Sequence, residues 1–121
     1  MNSIRKLPMV VLSTFCLVLL LGENAAAHAI LLEASPGPNA VVTGRAIEIR
    51  LQFNVRIDAD RSRLTLVGPH GTCPLTMKSD DAPDILAGSS SNLTPGSYHL
   101  RWQVLATDGH ITQGDVPFTV K

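Results

Sequence analysis

His28 occupies a position in the sequence that gives it chemistry of its own. It follows three alanines at positions 25–27, the kind of small-residue run that signal peptidase recognises, so cleavage there would make His28 the first residue of the mature chain. An N-terminal histidine can offer one metal ion both its free α-amine and its ring Nδ1, which together close a chelate ring. A histidine inside a chain cannot offer that pair of nitrogens.

A second candidate lies near the C terminus, in the segment Thr107-Asp108-Gly109-His110. In extended backbone Asp108 and His110 project on the same side, and Gly109 lets the chain bend toward a bound ion. A carboxylate beside an imidazole suits a divalent first-row metal ion. Taken alone, the segment is also typical of a turn, because Asp followed by Gly is a turn signal and a histidine near it needs no ligand.

His28, Asp108 and His110 together would provide three nitrogens and one oxygen. Such a nitrogen-rich set in a roughly square arrangement favours Cu(II), which also has the highest affinity among divalent first-row ions. Zinc is an alternative, although it usually takes a tetrahedral ligand set. The donor set therefore favours Cu(II) and leaves zinc as the alternative.

The segment before His28 has the pattern of a cleaved signal peptide. Arg5 and Lys6 supply the positive region, and residues 10–21 form an apolar stretch. That stretch is shorter than the roughly 18–20 residues of a spanning helix, so no retained membrane anchor is predicted.

Residues 1–27 are thus predicted to be removed on export, and residues 28–121 to form one domain. Cleavage before Ile30 is an alternative, because Ala27-His28-Ala29 also satisfies the peptidase rule.

The elements that must position the candidate residues are predicted to be β-strands. Apolar and polar residues alternate strictly, which is typical of strands with one face on a core and the other in solvent. The alternating runs are residues 47–57, 64–66, 98–104 and 116–120, and the turn clusters between them include residues 35–39, 68–71, 88–92 and 94–97. The pattern predicts an all-β domain, a small Greek-key sandwich or barrel of immunoglobulin-like type.

A set of residues spread over nearly the whole predicted mature chain carries a family resemblance. They are His28, Ala29, Ser35, Pro36, Leu51, Gln52, Phe53, Leu93, Pro95, Gly96, Tyr98, Trp102, Thr107, Asp108, Gly109, His110, Gly114 and Phe118. In these positions the sequence resembles the CopC family of periplasmic copper-resistance and copper-binding proteins. The most specific feature is the spacing of the final block to Asp108-Gly109-His110, combined with a leader that ends at His28.

The resemblance implies a Greek-key β-sandwich or barrel, related in shape to the cupredoxins, that binds one Cu(II). It implies that His28 supplies its amine and a ring nitrogen, His110 a third nitrogen, and Asp108 an oxygen or a hydrogen bond to a bound water. Because the amine and the imidazole must lose a proton before they bind, affinity is expected to fall as the pH drops.

Two features depart from the family pattern. In some members the position after the strand phenylalanine is followed by an acidic residue near the Cu(II) site, whereas this chain has Asn54 and Val55 after Phe53. The Asn54 amide oxygen could make only a weak axial contact, and Asn54 is left out of the ligand set. Some members also have a methionine-rich Cu(I) loop, whereas this chain has His70, Cys73 and Met77 in that stretch. These could bind Cu(I) through soft sulfur, or Cys73 could be a small buried apolar residue and His70 a loop residue.

Three classes of function follow. The favoured one is a non-enzymatic periplasmic protein that buffers copper, acts in copper resistance or delivers copper to an inner-membrane copper transporter. The second is a copper-dependent oxidative enzyme with an N-terminal histidine chelate, which a small domain with only 4% aromatic residues does not favour. The third is a metal-free immunoglobulin-like interaction module, because such folds host many functions.

Composition excludes some partners. The formal net charge is zero, there is no basic stripe, and aromatic residues are scarce, so nucleic-acid binding is not expected. No long exposed apolar run marks an interface, which predicts a monomer. His99 alternates with the core-facing Tyr98 and Leu100 and is expected to face solvent.

Overall fold

The computed structural model describes residues 28–121 and shows two β-sheets that pack face to face. This confirms the predicted all-β sandwich, whereas the predicted signal peptide lies outside the described residues. No helix within residues 28–121 is long and apolar enough to cross a membrane. The strands are β1 (Leu31–Ser35), β2 (Ala40–Val42), β3 (Ile47–Phe53), β4 (Arg63–Gly68), β5 (Gly71–Cys73), β6 (Thr76–Lys78), β7 (Ile85–Ser90), β8 (Gly96–Leu105) and β9 (Ile111–Val120).

The strand order places the longest hairpin in the middle of one sheet. The four-stranded sheet has the order β1-β3-β7-β6, and the five-stranded sheet has the order β2-β9-β8-β4-β5. β8 and β9 pair antiparallel along their whole length, from Gly96 opposite Val120 to Leu105 opposite Ile111. The turn at the end of this hairpin contains both Asp108 and His110.

The core lies between the sheets and is formed by the inward half of each alternating run. Leu51 of β3, Leu66 of β4 and Val104 of β8 are completely buried. The polar residues between them, such as Arg50 and Arg101, are exposed. The alternation in residues 98–104 therefore has the cause that the sequence predicts, with one face on the core and one in solvent.

The alternating run that begins at Ile47 is only partly a strand. β3 ends at Phe53, so the prediction that the strand continues to Ile57 is wrong. The apolar periodicity persists because Ile57 is itself buried, where it forms an isolated bridge to Ala106, the residue after β8. The chain thus crosses from one sheet to the other while it still contributes apolar residues to the core.

The turn predicted at residues 88–92 is also partly wrong, because Gly88 and Ser90 belong to β7. A Cβ on Gly88 would lie 3.0 Å from both a Leu75 side-chain carbon and the Thr76 carbonyl oxygen. The Ser90 hydroxyl donates to the Pro74 carbonyl at 2.7 Å. Small residues are present here because a neighbouring segment lies against the strand, not because the chain turns.

Gly114→Ala is expected to destabilise the domain. Gly114 faces Trp102 across the β8–β9 ladder, and an added Cβ would overlap the indole ring. Overpacking of this kind costs about 1–3 kcal/mol in the free energy of unfolding, which urea denaturation would measure. Gly37→Ala is the control, because its Cβ would lie 3.6 Å from the Ala34 carbonyl oxygen, an ordinary contact. Equal stability of the two variants would contradict the prediction.

Candidate metal centre

His110 is presented by the tight turn that joins β8 to β9. The Ala106 amide donates to the His110 carbonyl at 2.8 Å, and the Gly109 amide donates to the Ala106 carbonyl at 2.9 Å. Gly109 has a φ of 93°, a conformation that residues with a side chain rarely adopt. The Asp-Gly pair therefore does form a turn, and the turn fixes the backbone that presents His110.

Asp108 contacts both the backbone and the ring of His110. Its carboxylate accepts from the His110 backbone amide at 3.1 Å, and its other oxygen lies 3.0 Å from His110 Nδ1. The two side chains lie together because the chain turns, and not because the segment is extended, which corrects the geometric reason for their juxtaposition. With Nδ1 donating to the carboxylate, Nε2 is left with its lone pair available for a metal ion.

The hydrogen bond from the His110 backbone amide also affects the charge of Asp108. This bond holds the pKa of the Asp108 carboxyl below its ordinary value against the opposing effect of desolvation, and the contact to the His110 side chain lowers the pKa further. Asp108 is therefore ionised at neutral pH and keeps its role as an acceptor for His110.

His28 lies beside His110, although nearly the whole described chain separates the two residues. Their ring centroids are 5.0 Å apart and the rings are inclined at 74°. His28 is exposed, and the side chain of His110 is 55% exposed. The structure thus brings together the two histidines that the sequence singles out, on a surface that a metal ion in solution can reach.

The residues that follow His28 are bound to the domain. Ala29 is buried, and its carbonyl accepts from the Thr112 hydroxyl at 3.0 Å. The Asn54 side-chain oxygen accepts from the Ile30 amide at 2.6 Å. Asn54 therefore uses its amide oxygen on the backbone of the N-terminal segment, which is a different role from the axial contact considered from the sequence.

The side chains alone do not form a complete cage. Among residues 28–121, no group of three or more His, Cys, Asp or Glu side chains is arranged to hold a metal ion. The carboxylate of Asp108 is directed at His110. The side-chain groups that are left to bind a metal ion are therefore the two imidazoles. A third nitrogen would come from the α-amine of His28, a group that exists only after cleavage before that residue.

The other histidine–sulfur candidates are spread over the two sheets. Cys73 is half-buried in β5 of the five-stranded sheet, whereas Met77 is exposed in β6 of the four-stranded sheet. A cleft of about 490 Å³ is lined in part by His70 and Cys73, but Met77 is not among its lining residues. Cys73 also packs against the hydrophobic core, as expected for a small apolar residue.

His99 is on the outer face of the five-stranded sheet, as the alternation predicts. Its Nδ1 lies 2.8 Å from Asp115, so it forms an exposed His–Asp pair away from the β8–β9 turn. This pair resembles the Asp108–His110 pair in chemistry but has no second histidine beside it within the described residues.

The contact between Thr112 and Ala29 contributes to the site but could not be identified from the sequence. Thr112 lies on the inward face of β9, where Val116, Phe118 and Val120 are buried apolar residues. A hydroxyl at the open end of an apolar face is a signal that a polar partner must lie nearby. Its partner, the Ala29 carbonyl, is 83 residues away in sequence and could not be identified from local pattern.

The fold and the site together define a small β-sandwich whose first residues and last hairpin meet in a candidate metal centre. The chain belongs to the CopC family, because the CopC domain profile matches residues 31–121. This confirms the resemblance noted in the sequence.

Relatives with established names agree with this assignment. Protein YobA of Escherichia coli strain K12 is 32% identical over 99 residues, which cover 78% of this chain and 80% of YobA. Copper resistance protein C of Xanthomonas campestris pv. juglandis is 30% identical over 111 residues, covering 84% of this chain and 87% of that protein. Copper transport protein CutJ of Bacillus subtilis is 23% identical over 104 residues, which cover 83% of this chain but only 19% of CutJ.

A solved relative has the same fold. The crystal structure of CopC from Methylosinus trichosporium OB3b superposes with a TM-score of 0.72 at 29% identity and covers 78% of this chain and 94% of that one. The chain is therefore a β-sandwich of the CopC copper-resistance family.

Proposed function

We propose that the mature protein binds one Cu(II) in the periplasm through His28, His110 and Asp108, and that it serves as a copper carrier or buffer without catalytic activity. The observation that supports this most directly is the 5.0 Å distance between the two imidazole centroids. Two imidazoles at this separation, both on exposed residues, are a donor set that suits Cu(II).

Each residue has a separate role in the proposal. His28 supplies its α-amine and a ring nitrogen, and His110 supplies Nε2. Asp108 holds Nδ1 of His110 and so fixes both the tautomer and the direction of the ring, as carboxylates beside metal-bound histidines commonly do. Its negative charge also favours a cation at this place.

The exposure of the site suits transfer rather than permanent storage. Both histidines are open to solvent, so another protein could reach the bound ion. A chain segment similar to this one is part of the much longer protein CutJ, which is named a copper transport protein. A membrane copper transporter is therefore the proposed partner.

The proposal predicts a single equivalence point when the mature protein, beginning at His28, is titrated with Cu(II). The bound ion should give a tetragonal electron paramagnetic resonance spectrum with hyperfine coupling to several nitrogens, because amine and imidazole are the main donors. Binding of two or more equivalents with equal affinity, or a spectrum dominated by oxygen ligands, would refute it.

Cu(II) affinity is expected to fall steadily as the pH is lowered from 8 to 5. The amine and both imidazoles must be deprotonated to bind the ion, so protons compete with copper. Asp108 stays ionised over this range because its pKa is depressed, and it contributes to the loss only at lower pH. Competition with a chelator of known affinity at each pH would measure the effect, and a flat profile would exclude amine and imidazole as the main ligands.

A further inference from the structure

The arm formed by residues 28–30 is held to the domain by contacts on both of its sides. Ala29 is buried to 3% exposure, and its carbonyl accepts from the Thr112 hydroxyl of β9 at 3.0 Å. These contacts fasten the arm to the five-stranded sheet immediately after His28, at the level of the turn that carries His110.

Asn54 fastens the arm to the other sheet. Its backbone amide donates to the Ile30 carbonyl at 3.0 Å, and its side-chain oxygen accepts from the Ile30 amide at 2.6 Å. In a regular antiparallel pair, both acceptors would be backbone carbonyls. Here the side chain of Asn54 replaces its own carbonyl, and so it extends the β1–β3 pairing one residue beyond Leu31 and Phe53.

We propose that Asn54 and Thr112 are positioning residues of the metal centre, which hold residues 28–30 so that the amine and ring of His28 face His110. The inference rests on the proposed function, since it concerns the affinity of that site. Neither residue binds the metal.

Chain termini are mobile unless they are tied down, and a mobile His28 would face His110 for only part of the time. The apparent dissociation constant rises in inverse proportion to the fraction of molecules that are ready to bind. The two anchors keep that fraction high before the ion arrives. This positioning role explains why the Asn54 side-chain oxygen accepts from the Ile30 amide rather than facing the histidines.

Two substitutions remove the anchors with little effect on core packing, because Asn54 is exposed and valine has nearly the shape of threonine. Asn54→Ala removes the acceptor of the Ile30 amide, and Thr112→Val removes the donor to Ala29 while it retains a branched side chain. Each is expected to weaken Cu(II) affinity by roughly two- to tenfold, as expected for the loss of one hydrogen bond. The electron paramagnetic resonance spectrum should be that of the wild type, because the ligands are the same.

Conservative and matched variants separate positioning from a general effect on the fold. Asn54→Asp retains an acceptor for the Ile30 amide, and its Cu(II) affinity should equal or exceed that of the wild type. Gln103→Ala removes an exposed amide side chain from β8, and Thr119→Val removes a hydroxyl from β9. Both controls should leave Cu(II) affinity unchanged.

Amide hydrogen exchange in the metal-free protein provides a second measurement. Exchange at Ile30 should accelerate in Asn54→Ala and remain slow in Gln103→Ala, because only the first variant removes its acceptor. Wild-type affinity in both Asn54→Ala and Thr112→Val would overturn the inference, as would a changed spectrum in Asn54→Ala, which would make Asn54 a ligand. Failure of the proposed function itself is recognised separately, because the wild-type protein would then not bind Cu(II) at His28 and His110.

Discussion

His110→Ala is expected to lower the affinity for Cu(II) by more than about a hundredfold, since loss of a ligand should exceed the tenfold to hundredfold cost typical of residues that hydrogen-bond directly to a ligand side chain. The substitution removes one of the two available imidazoles and also leaves Asp108 without its ring partner. The chelate at His28 would remain, but it would have no third nitrogen. Competition titration against a chelator would measure the loss.

The chain contains a matched control for this substitution. His99 is also an exposed histidine paired with a carboxylate, 2.8 Å from Asp115, but it lies on the outer face of the five-stranded sheet. His99→Ala should therefore retain full Cu(II) affinity. If the two variants lose affinity equally, the effect comes from the general loss of a surface imidazole, and the proposed centre is misassigned.

Addition of one alanine ahead of His28 is expected to have an effect as large as the loss of His110, again more than about a hundredfold. The nitrogen of His28 would then be part of a peptide bond, and the new amine would be one residue further from the ring. The fold should be unchanged, because His28 is exposed and the buried anchor is the next residue.

An alanine added after Lys121 has the same composition and should not alter affinity. Chemical acetylation of the α-amine would provide an independent check, provided that the lysines are shown by mass spectrometry to be unmodified. Full affinity together with an unchanged electron paramagnetic resonance spectrum in the chain with the additional N-terminal alanine would mean that the α-amine of His28 is not a ligand.

The alternative cleavage before Ile30 has a structural cost as well as a chemical one. It would remove Ala29, which is buried among core residues, and would leave the Thr112 hydroxyl without the carbonyl that it donates to. Cleavage before His28 retains both. This supports His28 as the first residue of the mature chain, and N-terminal sequencing of the exported protein would test it.

The sequence was sufficient for the parts of the fold that have strong periodicity. β3 and β8 alternate strictly because each has one face on the core, and both were predicted. β2, β5 and β6 have three residues each, which is too short for any periodicity. The small residues Gly88 and Ser90 of β7 are typical of a turn in the sequence, but in the fold they make room for a neighbouring segment that local pattern cannot reveal.

The candidate site likewise contains residues that the sequence identifies and residues that it does not. His28 and His110 could be identified because their residue types and positions have a direct chemical meaning. The hydrogen bonds that Asn54 and Thr112 make to the arm depend on contacts between distant segments, including one over 83 residues. Such contacts exist only after the sheets have formed, so no local reading of the sequence contains them.

The position of the β8–β9 turn determines when the candidate metal centre can form. This turn, which carries His110, lies close to the end of the chain, whereas His28 lies at the start of the domain, and the two rings come within 5.0 Å only when both sheets are in place. If the site is as proposed, a chain whose domain has not folded has two separate weak binding groups instead of one strong one. Copper loading would then be a late step that follows both cleavage before His28 and folding of the domain.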